Sequence, residues 1–454
     1  MVERRIRDGY APRSVPRPYW DTVVRGDRMR PPQGIRRMRV LLLVMLLLIG
    51  IINYVDRSTL AIANHSVQDE FGIGPTEMGL LLSVFSWAYA FAQLPAGGLL
   101  DRFGPRKVLG GGLLLWSVAQ AFCGVAANFK QMLFGRLFLG VGEAPAFPGG
   151  AKVVADWFPR ESRGLPIGLF NTASTLAPAI APPLLTWLML SYGWRTMFVV
   201  AGVAGIVLAL IWFAVYRDRA QLSAEPGPAP EPVSLREWLG LLRHRSTWGM
   251  MIGFSGVIYS IYLYLTWLPA YLSSERGLSV ADTGIALVVP YLAGTLGMLS
   301  GGGVGDLLVR RGFSTMIARK VPICAGLLLG GLCTIPVALT PSTALALVCI
   351  SASQFFMNNA SAGAWSLAAT VGAERITASL GSLQNFGGYF GGAFAPLITG
   401  IIVDRTGSFV IALLAASGIA IAAALSYAFL VGRPVGPEPV KSTVEQRRGA
   451  DGRG

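Results

Sequence analysis

The residues with the most chemical content lie in 53-NYVDRSTLAIA-63, where Asp56 and Arg57 stand side by side just after 40-VLLLVMLLLIGII-52, a run without a charge. At membrane depth each such ion costs about 2.5–3.5 kcal/mol on insertion scales. A second acid and base, Arg136 and Glu143, occur in the apolar stretch 130–155. Their spacing is nearly two helical turns, which puts both on one helix face about 10.5 Å apart along the axis. Adjacent helix positions point about 100° apart, so one of Asp56 and Arg57 faces a central cavity while the other turns toward a neighbouring helix. An arginine offers a planar fork matched to a carboxylate, and a buried acid takes up a proton when a guanidinium moves away from it. The expected roles are Arg57 as the grip on an anionic group, Asp56 and Glu143 as proton carriers, and Arg136 as the charge that biases Glu143. A structural salt-bridge network is the competing reading. Buried pairs rarely add net stability, so four intramembrane charges would be costly glue.

The elements that must position these groups are membrane helices. Of 454 residues, 53% are hydrophobic and only 14% charged, with a mean hydropathy of +0.55. An ordinary globular domain carries about 25% charged residues, so the polar surface needed for solubility is missing. Twelve segments are long enough to span about 30 Å of hydrocarbon: 38–63, 76–100, 106–127, 130–155, 163–190, 195–216, 246–272, 281–308, 319–339, 342–370, 376–403 and 408–431. The expected fold class is therefore all-α integral membrane, twelve helices in two pseudo-symmetric six-helix bundles at 38–216 and 246–431. The polar, Pro-rich interval 217–245 reads as a cytoplasmic linker whose end, 234-SLREWLGLLRH-244, has amphipathic spacing. Residues 1–37 form a basic tail expected to be disordered, and 432–454 a second tail.

Basic residues set the orientation. With the N-terminus inside, only Lys130, Arg195, Arg276 and Arg405 lie near outer connections, and Arg57 and Arg136 within helices; all other Lys and Arg fall on the cytoplasmic side. Both termini are then cytoplasmic. The net charge of +14 is concentrated in a Pro-broken tail that suits anionic lipid rather than nucleic acid, so no nucleic-acid partner is expected. Cys123, Cys324, Cys333 and Cys349 lie in apolar runs without metal-ligand spacing and read as core fillers; no metal and no cofactor are expected.

The two halves echo each other. Between the second and third segments stands 98-GLLDRFGPRK-107, and between the eighth and ninth 303-GVGDLLVRRG-312, each with Gly-x-x-Asp before a basic cluster. Asn171 precedes Ala181-Pro182 by the interval at which Asn385 precedes Ala395-Pro396. Such pairs point to a duplicated unit. A carboxylate held at one place in both halves suits a gate between bundles, with Asp101, Arg102, Arg106, Lys107 and Asp306 as its members. The competing reading is ordinary positive-inside charge.

Polar groups within apolar segments must face protein or a cavity. Tyr259, Tyr262 and Tyr264 on the seventh segment, Asn358, Asn359 and Trp365 within 354-QFFMNNASAGAWS-366, and Gln384 and Asn385 on the eleventh meet that condition. Interhelical hydrogen bonding would also satisfy them, at about 0.6 kcal/mol each. Those expected to face the anion are Arg57, Tyr54, Tyr89, Asn171, Ser174, Tyr262, Asn358, Trp365 and Asn385.

With 98-GLLDRFGPRK-107 between its second and third segments, the chain resembles the major facilitator superfamily over residues 38–432. The motifs 53-NYVDR-57, 135-GRLFLGVGEAPAFPG-149 and 400-GIIVDRTGSF-409 resemble the anion:cation symporter family of sugar-acid permeases and sialic-acid and vesicular glutamate transporters. The second copy of the loop signature departs from the family pattern, with Gly305 where a bulkier residue is common. The resemblance implies a proton-coupled symporter importing a small organic anion such as a sugar acid across a bacterial-type cytoplasmic membrane, and the protein is expected to be a monomer. Partners would be the anion, protons and the bilayer. A proton-antiport exporter and a non-transporting ligand sensor of the same fold remain open. The sequence lacks a phosphate loop, a His-Glu-x-x-His and a Gly-x-Ser-x-Gly elbow, and no enzyme activity is expected.

Overall fold

The computed structural model describes residues 33–158, 164–218, 235–371 and 377–432. Most of the basic tail, the Pro-rich stretch 219–234 and the second tail lie outside the described residues. Contacts divide the chain into Met1–Leu42 and Leu43–Gly454. The first unit contributes only the opening of α1 to what is described, and the packing below belongs to the second.

Among the described residues the regular structure is helical, joined by short turns, with no strand. In chain order the helices are α1 (Gln33–Ile62), α2 (Asn64–Phe71), α3 (Pro75–Val125), α4 (Phe129–Glu143), α5 (Ala146–Trp157) and α6 (Gly164–Val215), then α7 (Leu235–Leu241), α8 (Arg245–Ser274), α9 (Val280–Ala286) and α10 (Val288–Arg310). They end with α11 (Thr315–Leu339), α12 (Thr343–Val371), α13 (Thr377–Gly392), α14 (Phe394–Thr406) and α15 (Val410–Leu430). Among the described residues, nine stretches are long and apolar enough to cross a membrane. The difference from twelve has physical causes. Leu176–Val215 joins two expected spans in one stretch, although Gly193 (φ 83°, ψ 159°) bends the chain between them. The segment expected at 130–155 is broken at Ala144-Pro145 into α4 and α5, because Pro145 has no N–H for the preceding turn. In α12, Gln354, Asn358 and Asn359 lower the hydropathy of an otherwise apolar helix.

Gly104 (φ 78°, ψ 158°) likewise separates Pro75–Leu100 from Arg102–Val125 within α3. Its positive φ favours glycine, and a Cβ there would stand 2.7 Å from the Asp218 carboxylate. That carboxylate accepts the Arg106 backbone N–H at 3.0 Å, while Arg106 Nη2 donates to the Phe213 carbonyl at 2.8 Å. At the other end of the helices, Arg195 donates to Glu70 at 2.6 Å and to the carbonyl of Ala126 at 2.7 Å. The same guanidinium holds the Glu70 carboxyl below the ordinary carboxylate range.

α3 packs on α4, α6 and α14, and α10 packs on α12 and α6. The approaches are close because small residues face backbone. A Cβ on Gly79 would lie 2.6 Å from the Pro396 carbonyl oxygen, and one on Gly400 would run into the Pro75 carbonyl. The Leu397 N–H, in the first turn of α14 and so without an intrahelical partner, donates to Ser83 Oγ at 3.0 Å. Thr76 donates to Asp404 at 2.6 Å at the end of this seam. Cys123 fills the space left by Gly135, whose Cβ would meet its Sγ at 2.6 Å. Gly140 sets the α3–α4 distance behind the buried charges, since a Cβ there would run into the Phe85 carbonyl. Gly140→Val should therefore cost about 1–3 kcal/mol by overpacking, read as a lower melting temperature in detergent. Gly111→Ala, with open space around it, is the control, and equal melting of the two variants would refute this account.

Candidate functional site

Four charged side chains meet in the core: Asp56 (0% exposed), Arg57 (3%), Arg136 (2%) and Glu143 (0%). α1 carries the first two and α4 the others. Glu143 is the last residue of α4, so the Pro145 break places its carboxylate where that helix stops. Among the described residues, α8–α15 bury no charged side chain, in line with the sequence.

The pairing differs from the one that helical spacing suggests. Glu143 Oε2 accepts from Arg57 Nε at 2.8 Å, across helices, rather than from Arg136 on its own helix. Arg136 Nε instead reaches the Leu81 carbonyl at 3.4 Å, with its guanidinium 4.9 Å from the centre of the Phe85 ring. Burial makes both carboxylates expensive as ions, and the two guanidiniums are the charges that offset this. Asp56 has no hydrogen-bond partner on either carboxylate oxygen.

Around Arg57 stands an aromatic cage. Its guanidinium lies 4.8 Å from the ring centres of Tyr54 and Tyr89 and 5.1 Å from that of Phe85. Nη1 donates to the Tyr262 hydroxyl at 3.1 Å, a contact from α1 to α8. Tyr389 closes the cage, its ring 4.9 Å from Tyr89 and 5.9 Å from Tyr262. Cation–π contacts of this kind hold a cation whose water has been removed. One edge of the fork is unengaged: Nη2 is buried and has no hydrogen-bond partner.

Of the expected anion-facing residues, Tyr54, Tyr89 and Tyr262 gather at Arg57. Asn385 Nδ2 donates to Gln93 Oε1 at 2.7 Å, and Gln93 Nε2 to the Tyr89 hydroxyl at 2.9 Å, so Asn385 joins the cage through an intermediary. Asn358 donates to the Gln354 carbonyl at 2.9 Å and abuts Gly294 of α10. Asn359 donates to Ser300 at 2.9 Å, the interhelical alternative. Trp365 is 47% exposed with its edge against Phe254. Asn171 is exposed, and Ser174 Oγ donates to its carbonyl at 2.7 Å. Among the expected gating residues, Asp306 pairs with Arg319 at 2.7 Å, Arg106 is tied to the end of α6 as described above, and Arg102 lies over Phe103. Lys107 is exposed, and the Asp101 side chain lies outside what is described.

Sequence reasoning missed Phe85, Gln93 and Tyr389. The signal was present: Phe85, Tyr89 and Gln93 succeed each other at i, i+4, and Tyr389 follows Asn385 by the same step, which places them on shared faces.

Residues 46–396 match the family model described as Major Facilitator Superfamily. A probable L-galactonate transporter of Escherichia coli K12 is 43% identical over 423 residues, covering 89% of this chain and 93% of that protein. A D-galactonate transporter of Escherichia coli O6:H1 is 36% identical over 417 residues, covering 87% and 96%. A probable galactarate/D-glucarate transporter of Bacillus subtilis is 36% identical over 441 residues, covering 91% and 95%. Among solved structures, an inward-facing, unoccupied bacterial homolog of the human lysosomal transporter Spinster superposes with a TM-score of 0.69 at 21% identity, covering 87% of this chain and 95% of that one.

Removing the anion that compensates Arg57 should be costly. Glu143→Leu is expected to destabilise by about 3–5 kcal/mol by leaving a buried guanidinium unpaired, and Glu143→Gln, which keeps an acceptor, by less. Melting curves of the two purified variants measure the order, and a Gln variant as unstable as the Leu variant would contradict it.

Proposed function

The chain belongs to the Major Facilitator Superfamily, and on that premise we propose that it imports a sugar acid together with protons by alternating access. It is a multi-pass membrane transporter rather than an enzyme. The observation that carries the substrate reading is the buried Arg57 fork, with one edge on Glu143, one on Tyr262 and Nη2 unengaged. A substrate carboxylate has a donor waiting there, and the cage supplies hydroxyls from Tyr54, Tyr89 and Tyr262 with the amides of Gln93 and Asn385 nearby for a polyhydroxylated body. Galactonate, galactarate and glucarate are the substrate class suggested by the names of the relatives.

Coupling follows from the same pair. If the substrate carboxylate takes Arg57, Glu143 loses its counter-charge in a low-dielectric place and takes up a proton, so anion and proton travel together. Asp56, beside Arg136 and Glu143, is the second proton carrier, and Arg136 holds the balance between the two acids. In this reading residues 38–216 and 246–431 are the two bundles that rock about Arg57. Two contacts support the duplication: α3 against α14, and α6 against α10, are related by exchanging the halves. With both termini cytoplasmic in a bacterial inner membrane, the α3–α14 seam would lie on the outer side in this reading. Gly97, Gly98 and Gly303, with open space about them, lie toward the cytoplasmic side, where Asp101, Arg102, Arg106, Lys107 and Asp306 would act when that side closes.

Uptake of labelled galactonate into proteoliposomes with imposed pH and voltage gradients tests the reading. Accumulation should follow an inward proton gradient and vanish in Glu143→Gln and Asp56→Asn. Efflux driven by that gradient would identify an exporter, and binding without accumulation a sensor. Arg57→Ala should weaken galactonate binding by about 2–5 kcal/mol, at least roughly 30-fold in Kd; unchanged affinity would remove Arg57 from the site.

A further inference from the structure

The cage has two ends of different chemistry. At one end is the Arg57 guanidinium, 4.8 Å from the ring centres of Tyr54 and Tyr89, with Nη2 unpartnered. At the other are Gln93 and Asn385, both half-buried and joined by the 2.7 Å bond from Asn385 Nδ2 to Gln93 Oε1. Gln93 follows Tyr89 by four residues, a rise of about 6 Å along α3, and its Nε2 donates to the Tyr89 hydroxyl at 2.9 Å. A six-carbon acid in zigzag form, with bonds of about 1.5 Å, also spans about 6 Å between its ends. A sugar acid gripped at Arg57 and laid along α3 brings its far end to the Gln93–Asn385 pair.

That end of the cage carries no charge. The side chains of Gln93 and Asn385 hydrogen-bond to each other and to Tyr89, and to no ionic group. Tyr389, its ring 4.9 Å from that of Tyr89, adds a neutral hydroxyl. Among the described residues the second buried cation is Arg136, and it is committed elsewhere. Its Nε reaches the Leu81 carbonyl at 3.4 Å and its guanidinium lies 4.9 Å from the centre of Phe85, both of them buried residues. The rings of Tyr54 and Tyr389 in the Arg57 cage are half-buried instead, so the side with access is the one that leads to Gln93 and Asn385.

Hydrogen-bonding capacity then decides what fits there. A primary amide donates and accepts, and so does a hydroxyl, so the two can satisfy each other. A carboxylate only accepts, and as an ion taken out of water with no counter-charge it is costly. Resting on the sugar-acid reading above, we propose that this site selects sugar acids with a single carboxylate, and that the Gln93–Asn385 pair rejects a second carboxylate at the far end. Aldonates are then the ligands, and aldarates are excluded by charge rather than by length.

Galactonate and galactarate are the probes, because they differ only in the far group, a CH2OH in one and a carboxylate in the other. Calorimetric titration of the purified protein at pH 7 should find galactarate weaker by at least about tenfold in Kd; a smaller ratio, or the reverse order, overturns the proposal. The ratio should also shrink toward about pH 4, where the far carboxyl of galactarate takes up a proton. A ratio that ignores pH would show that shape is read instead of charge, and would overturn it too. Gln93→Lys and Asn385→Lys each set an ammonium at the far end. In either variant the ratio of the two Kd values should fall by at least about fivefold, a readout that a loss of affinity common to both acids does not move. An unchanged ratio in variants that still bind galactonate removes the pair from the far end, and if neither variant binds, the pH series on the parent decides. If the parent binds neither acid, or Arg57→Ala binds galactonate as the parent does, the sugar-acid reading falls and this inference with it. If galactonate binding depends on Arg57 and galactarate binds equally well, the inference alone is lost.

Discussion

A guanidinium kept out of water has to keep an anion next to it, and the organisation of this transporter follows from how Arg57 meets that requirement. Desolvating a charge costs more than most contacts return. The Arg57–Glu143 pair at 2.8 Å and the rings of Tyr54, Phe85 and Tyr89 make the position tolerable in the state described. A vacancy on Arg57 is not a low-energy option, so Glu143 can leave only as another anion arrives. Exchange of partners, rather than simple release, is what a buried ion pair of this kind permits, and the proposed coupling of substrate to acid rests on that constraint.

The pair also depends on where helices stop and how closely they approach. Glu143 ends α4 because Pro145 interrupts the ladder. Gly140, one turn earlier on α4, lets that helix sit against the carbonyl of Phe85, one of the cage residues. The break at Ala393 between α13 and α14 leaves the N–H of Leu397 available to Ser83, while Gly79 and Gly400 face backbone across the same seam. Such a seam is suited to two discrete arrangements. Glycine against carbonyl packs well only at contact, and little attraction remains once the helices part.

Much of the fold was legible because lipid imposes a simple rule. A chain with so few charges must satisfy its backbone internally, and helices about 20 residues long are the result. The span positions accordingly agree with α1, α8, α11, α12 and α15 to within a few residues, while α3 and α6 each carry two expected spans and 281–308 is divided between α9 and α10. The breaks were less visible. Pro145 marked one of them, and Pro290 and Pro396 stand four residues after the ends of α9 and α13, whose last carbonyls they leave without an N–H; the neighbours that accept freed backbone groups explain why such breaks are tolerated there.

Sequence alone determined that Asp56, Arg57, Arg136 and Glu143 are membrane-embedded and that α8–α15 oppose them with uncharged polar groups. These follow from residue type and from periodicity, which are local properties. Tertiary structure decided the pairing. Spacing along α4 placed Arg136 on the face of Glu143, yet the carboxylate chose Arg57 on another helix, and Tyr389 and Gln93 entered the site by packing across the seam. Helical phase states which side of a cylinder a group occupies; which cylinder it meets is set by close packing of the whole, and in a medium without water that choice governs every charge.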